Sequence, residues 1–167
     1  ARMAQYVTDG DVRGIATRLI VEGEVVSDMT AGIRRASDGA PIEEDTIYRI
    51  YSMSKPITGV AMMMLYEAGA FTLDDPITKF VPEFAGLRVM TGVDDAGQPI
   101  LTDPDHIPTM REVMSHTAGF AYGLSGSDPA NTAFRDQKIL ESPDLETFID
   151  KVADVPLLFQ TGTAWAY

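Results

Sequence analysis

Ser52-Met53-Ser54-Lys55 is the stretch whose residue types and spacing could do covalent chemistry. A serine and a lysine placed i and i+3 at a helix start stand on one face, one turn apart. An amine in that position can hydrogen-bond to the hydroxyl, and partial burial would leave it neutral often enough to share in removing the serine proton. The helix N-terminus adds N–H groups and positive potential, which favour negative charge developing on a substrate oxygen. Pro56 fits the same placement, because the first N–H groups of a helix have no intrahelical partner to lose. The spacing alone is read more readily as an ordinary serine cap followed by a solvated lysine, so the four residues need context.

Other residues invite chemical readings. His116 could be a base, and His106, in Thr102-Asp103-Pro104-Asp105-His106, could belong to a metal site. That stretch lacks the alternating ligand spacing of a calcium loop and reads as a polar surface loop. Gly123-Leu124-Ser125-Gly126-Ser127 nearly matches a nucleophile elbow, but its second glycine comes one place early and no buried strand precedes it; a flexible loop is expected. Met62, Met63 and Met64 read as core filling.

The elements that must position Ser52 and Lys55 are legible in outline. Residues 1–9 resemble a helix tail entering a turn. Ile15 to Ile20 and Val25 to Ala31 flank Glu22-Gly23-Glu24 as a hairpin. Thr46 to Ile50, a short apolar stretch with β-branched and aromatic residues, leads directly into Ser52. Met53 to Gly69 reads as a helix apolar nearly all round, hence buried, with Gly69 ending it. Leu87–Met90 and Pro99–Thr102 flank a turn at Asp94-Asp95-Ala96-Gly97. Thr109-Met110-Arg111-Glu112 has the form of a capping box, with Gly119 closing its helix, and Ser142-Pro143-Asp144 opens another helix that runs to about Asp154.

Composition bounds the function classes. The 167 residues are 45% hydrophobic and 23% charged, which suits a folded domain of ordinary size. The net charge of -12 repels phosphate backbones, and no basic stripe offsets it, so nucleic acid is an improbable partner. The absence of cysteine excludes disulfides, a cysteine nucleophile and zinc–thiolate sites. The apolar run Ile57 to Tyr66 is about half of what a membrane span needs. No apolar core follows Ala1-Arg2-Met3-Ala4-Gln5, so no secretory leader is read and cytoplasm is the default compartment.

Context for the tetrapeptide comes from a resemblance. Tyr48-Arg49-Ile50-Tyr51-Ser52-Met53-Ser54-Lys55-Pro56-Ile57-Thr58 resembles the nucleophile segment of the serine β-lactamase-like superfamily, particularly its family VIII carboxylesterases. Leu73-Asp74-Asp75-Pro76 with Phe80-Val81-Pro82-Glu83-Phe84 is similar to the segment after the nucleophile helix. Pro108-Thr109 to Met114-Ser115-His116-Thr117-Ala118-Gly119 resembles the next helix and turn. Pro156-Leu157-Leu158-Phe159-Gln160 with Gly162-Thr163-Ala164-Trp165-Ala166-Tyr167 resembles the approach to the catalytic tyrosine. The blocks stand in the family's order from about residue 13 onward.

The resemblance implies roles. Ser52 would attack the acyl carbon and carry the acyl group, with its own N–H as one oxyanion donor. Lys55 would orient and activate it, and Tyr167 would act as base or acid between serine and leaving group. His116 would belong to a structural turn; Tyr122, just after the Gly119 turn, reads as a packing residue, with a place in the acyl pocket as the alternative. The implied fold is α/β (α+β), an antiparallel sheet flanked by helices plus a mostly helical region. Residues 1–56 would lead from the sheet region to the nucleophile, and residues 57–167 would form the helical region up to Tyr167. Thr161 stands where the family usually has proline. The later family motifs, including the second oxyanion donor, would lie beyond Tyr167, so the chain is expected to be a front part with an incomplete sheet. The implied activity is hydrolysis of short-chain carboxylic esters, small molecules, without metal or cofactor. Hydrolysis of β-lactams or D-amino-acid peptides, or acyl transfer, would use the same machinery; a non-catalytic binding protein is the alternative of another class.

Overall fold

The computed structural model describes residues 2–124 and 126–167. The chain divides into two compact units, Ala1–Ser54 and Lys55–Tyr167.

In the first unit, helix α1 (Arg2–Thr8) precedes strands β1 (Gly14–Val21) and β2 (Glu24–Gly32). The strands pair antiparallel, from Gly14 opposite Gly32 to Val21 opposite Glu24. Glu22 and Gly23 form the connecting turn at φ of 52° and 86°. Positive φ at both central residues is what a two-residue hairpin turn requires if its twist is to match the strands. Arg18 and Asp28 face each other across the ladder and pair their charges.

The stretch Thr46 to Ile50 forms no strand. The Thr46 hydroxyl accepts the Glu43 N–H at 2.8 Å while the Thr46 N–H returns to the Glu43 carbonyl at 3.1 Å, which closes a local turn. A threonine that satisfies nearby backbone competes with a ladder in this way. Ile47 beyond it is 96% exposed. The turn Tyr51–Met53 follows, with Tyr51 at a φ of 45°.

The second unit holds most of helix α2 (Ser54–Glu67), a short antiparallel pair β3 (Val89–Val93) and β4 (Pro99–Thr102), and helices α3 (Met110–Met114), α4 (Pro129–Asp136) and α5 (Leu145–Ala153). Its core gathers Phe84, Leu87, Val89, Phe134, Ile139 and Leu157. Leu157 is wholly buried and bridges β3: its N–H donates to the Arg88 carbonyl and its own carbonyl accepts the Met90 N–H, both at 2.8 Å. A fully buried leucine contributes about 1.5–3 kcal/mol relative to an exposed one.

Helix starts follow side-chain capping. Thr109 and Glu112 form the reciprocal capping box of α3. Asp128 caps α4 by accepting the Asn131 N–H at 2.9 Å, with Pro129 in the first turn, so a helix follows directly on the expected loop. Asp144 caps α5 through the Thr147 N–H at 2.7 Å, so Pro143 lies outside the helix rather than at its first position. The end of α3 also departs from expectation: the helix stops at Met114, and His116 takes the left-handed conformation at a φ of 61°, ahead of Gly119.

One expectation is reversed. Helix α2 carries no buried residue, and Ile57, Val60 and Met64 are 65%, 63% and 65% exposed. Its apolar circumference predicts burial, but the core of this unit is built from residues 77–89, α4, α5 and Leu157, none of which covers α2 among the described residues. No helix among the described residues is long and apolar enough to cross a membrane.

Candidate active site

Ser52 lies in the 3-10 turn Tyr51–Met53, which runs directly into α2. The Met53 N–H returns to the Ile50 carbonyl at 3.0 Å, and the Ser54 N–H to the Tyr51 carbonyl. The left-handed Tyr51 therefore holds the residue before Ser52 in a backbone state that costs a bulky side chain about 1–3 kcal/mol. Such outliers concentrate where a chain must aim a particular side chain.

Lys55 is the second residue of α2. Its Nζ donates to Tyr167 Oη at 2.8 Å and stands 4.5 Å from the centre of the Tyr167 ring. Lys55 is exposed, so the partial burial expected of an activating amine is not supplied by the described residues.

Tyr167 reaches that position because its segment is laced to the turn after α3. The Leu158 N–H donates to the Gly119 carbonyl at 2.7 Å, the Gly162 N–H to the Thr117 carbonyl at 2.8 Å, and the Ala166 N–H to the His116 carbonyl at 3.0 Å. The Thr161 hydroxyl, buried, adds a bond to the Ala118 carbonyl at 3.3 Å. Thr161 thus holds the turn through its side chain. The lacing requires glycine at 119, which has a φ of 93°, and any Cβ there would stand 2.8 Å from the Phe159 carbonyl oxygen.

Three rings surround the Tyr167 phenol. His116 stacks on it at 5.4 Å with 20° between planes, Tyr122 meets it edge-on at 5.8 Å, and Trp165 is tilted at 6.3 Å. A cavity of about 170 Å³ opens here, lined by Lys55, Val113, His116, Gly119, Tyr122 and Tyr167 among others. Its lining is mainly apolar, with an amine and a phenol at one side, a combination suited to a small acyl group beside a site of proton transfer. The structure thus brings Lys55, Tyr167 and Tyr122 to one cavity in the second unit.

Beneath the turn, Glu112 anchors the start of α3. One carboxylate oxygen accepts from the Thr109 N–H at 2.8 Å and the Thr109 hydroxyl at 2.7 Å; the other meets His106 Nε2 at 2.9 Å. Burial pushes the Glu112 carboxyl up, but these hydrogen bonds outweigh it and hold the group below the ordinary glutamate value. His106 is therefore engaged with a carboxylate in the α3 cap. No cluster of three metal-ligating side chains occurs among the described residues. Ser125, centre of the elbow-like stretch, lies outside the described residues.

The aromatic stack of His116 on Tyr167 has no local signature. The two residues are distant in sequence, and nothing short of the returning segment 157–167 reveals that they meet. Trp165, 6.1 Å from His116, likewise carries no signal of its own in the sequence.

Comparison with known proteins agrees with this architecture. The sequence model of the Beta-lactamase family matches residues 1–167. Esterase EstB of Burkholderia gladioli is 30% identical over 87% of this chain and 35% of its own length. The acyltransferase calJ of Penicillium decumbens is 30% identical over 90% of this chain and 35% of its own. Among solved structures, EstCE1, a hydrolase with promiscuous acyltransferase activity, superposes with a TM-score of 0.79 at 27% identity, over 99% of this chain and 42% of its own. The chain thus spans well under half the length of these relatives.

Proposed function

Since the chain belongs to the beta-lactamase family, we propose that it carries the nucleophile and proton-transfer groups of a serine hydrolase for short-chain carboxylic esters. The observation that carries this reading is the hydrogen bond from Lys55 to Tyr167 beside a small apolar cavity. Pairing an amine with a phenol gives a route for the proton that a serine nucleophile must lose and the leaving group must gain.

In this reading Ser52 Oγ adds to the ester carbonyl carbon while its proton passes to the Lys55–Tyr167 pair. The tetrahedral adduct collapses with cleavage of the bond to the alkoxy oxygen, and the same pair returns the proton so that an alcohol leaves. The acyl group stays on Ser52 as an ester. Water then repeats the sequence, giving the carboxylic acid and the free serine. Tyr122 lines the acyl cavity beside Tyr167.

A second reading is acyl transfer, in which an alcohol replaces water in the second half. It is supported by the likeness to the acyltransferase calJ and to EstCE1, a hydrolase whose acyltransferase activity is promiscuous. Hydrolysis of β-lactams or D-amino-acid peptides uses the same steps on an amide bond, and a protein that only binds would need none of them.

Rates on a nitrophenyl acetate, with and without an added alcohol, set beside rates on a chromogenic cephalosporin, separate these readings. Ester hydrolysis dominating, and lost in Ser52→Ala, is the expected result. A higher efficiency on the cephalosporin would replace the ester reading, alcohol-dependent product would favour transfer, and unchanged hydrolysis in Ser52→Ala would remove Ser52 from the mechanism.

A further inference from the structure

We propose that His116 is a positioning residue for Tyr167, whose imidazole and backbone carbonyl together fix the phenol where its oxygen meets Lys55. The inference rests on the reading of Tyr167 as a proton carrier and adds a residue to it.

His116 holds Tyr167 in two ways. Its ring lies nearly parallel to the phenol, 5.4 Å between centres and 20° between planes. Its carbonyl accepts the N–H of Ala166, the residue before Tyr167, at 3.0 Å. The main chain and the ring are thus referred to the same residue. Tyr122 and Trp165 approach the phenol at 71° and 51° and resist sideways displacement, whereas a face-on neighbour resists tilting. Tyr167 is 42% exposed, so burial alone does not set its plane. The Lys55 Nζ to Oη distance of 2.8 Å depends on that plane, because tilting the ring swings its oxygen farthest.

His116 sits in the left-handed region at a φ of 61°, a state that histidine enters more often than most side chains. Its ring lines the same cavity as Lys55 and presents its face to the phenol, an arrangement that fits placement of Tyr167 rather than transfer of a proton by the imidazole.

The test uses His116→Asn, which keeps the left-handed backbone and removes the ring, and His116→Phe, which keeps a ring for stacking, both in the protein as its gene encodes it. Ester turnover, melting temperature and the ring-proton shifts of Tyr167, assigned with Tyr167→Phe, are measured. In His116→Asn the Tyr167 shifts should move downfield as the stacked ring is lost, and kcat should fall about tenfold or more with KM nearly unchanged, as expected of a misplaced reacting group. His116→Phe should return kcat to within about threefold of the native enzyme and restore the upfield shifts. Tyr167 shifts that do not change in His116→Asn would overturn the proposal, whatever the activity. If the native protein shows no Ser52-dependent hydrolysis, the reading of the site fails while the shifts still decide the role of His116.

Discussion

Lys55 Nζ donates a hydrogen bond to Tyr167 Oη at 2.8 Å, although 112 positions separate the two residues. One belongs to the first turn of α2 and the other to the end of a segment laced to the turn after α3. The bond therefore reports that the packing of Leu157, the Gly119 turn and the α3 cap are all in place.

Tyr167→Phe removes the acceptor and keeps the stacked ring. Ester turnover should fall by about 10²–10⁴, the usual worth of a proton-transfer group, with the melting temperature hardly changed. Retention of full turnover would take Tyr167 out of the chemistry.

Lys55→Met and Tyr167→Phe should be strongly non-additive. Groups that move one proton between them act as a unit, so the double variant should be little worse than the poorer single one. Losses that multiply in a kinetic comparison of all four proteins would mean the two residues work separately.

Thr109→Ala should destabilise the fold by about 1 kcal/mol, because it removes one half of the α3 capping box. Denaturant titration reads this, and a neutral substitution would contradict the role of the cap.

Glu112 adds a pH dependence. Its folded carboxyl titrates below the ordinary value, so its stabilisation is fully present above about pH 4.3 and is lost as pH falls through the folded value. Glu112→Gln should flatten the acid decline of the melting temperature below about pH 4.3. An acid limb identical to that of the native protein would assign the decline to other carboxylates.

Gly119→Ala should destabilise by more than about 1 kcal/mol, since its φ of 93° and the Phe159 carbonyl 2.8 Å from the added Cβ act together. Thermal melting checks this, and because the lacing to segment 157–167 would loosen, turnover should fall as well.

Legibility in the sequence tracks locality. The Glu22-Gly23 hairpin and the Thr109–Glu112 capping box are decided by neighbouring residues, and both stand where residue type predicts. Residues 46–50 carry β-branched and aromatic side chains yet form no strand, and the Thr46 hydroxyl bonds back to Glu43 instead. Helix α4 carries a plain start signal in Asp128-Pro129, but the preceding glycine–serine run masks it by extending the look of a loop. Apolar character around α2 predicts a cover, and no local rule says which residues provide one. Of the site, Ser52 and Lys55 are legible as a spacing and Tyr167 through resemblance. The stack of His116 on Tyr167 depends on where a distant segment returns, which residue types near position 116 do not encode.

The most direct test of the central claim is intact-mass analysis of the gene-encoded protein after reaction with a fluorophosphonate, followed by mapping of the adduct. The account predicts a single adduct on Ser52, absent in Ser52→Ala and formed much more slowly in Lys55→Met. An adduct on another residue, or ester hydrolysis that proceeds with no adduct and survives Ser52→Ala, would contradict it.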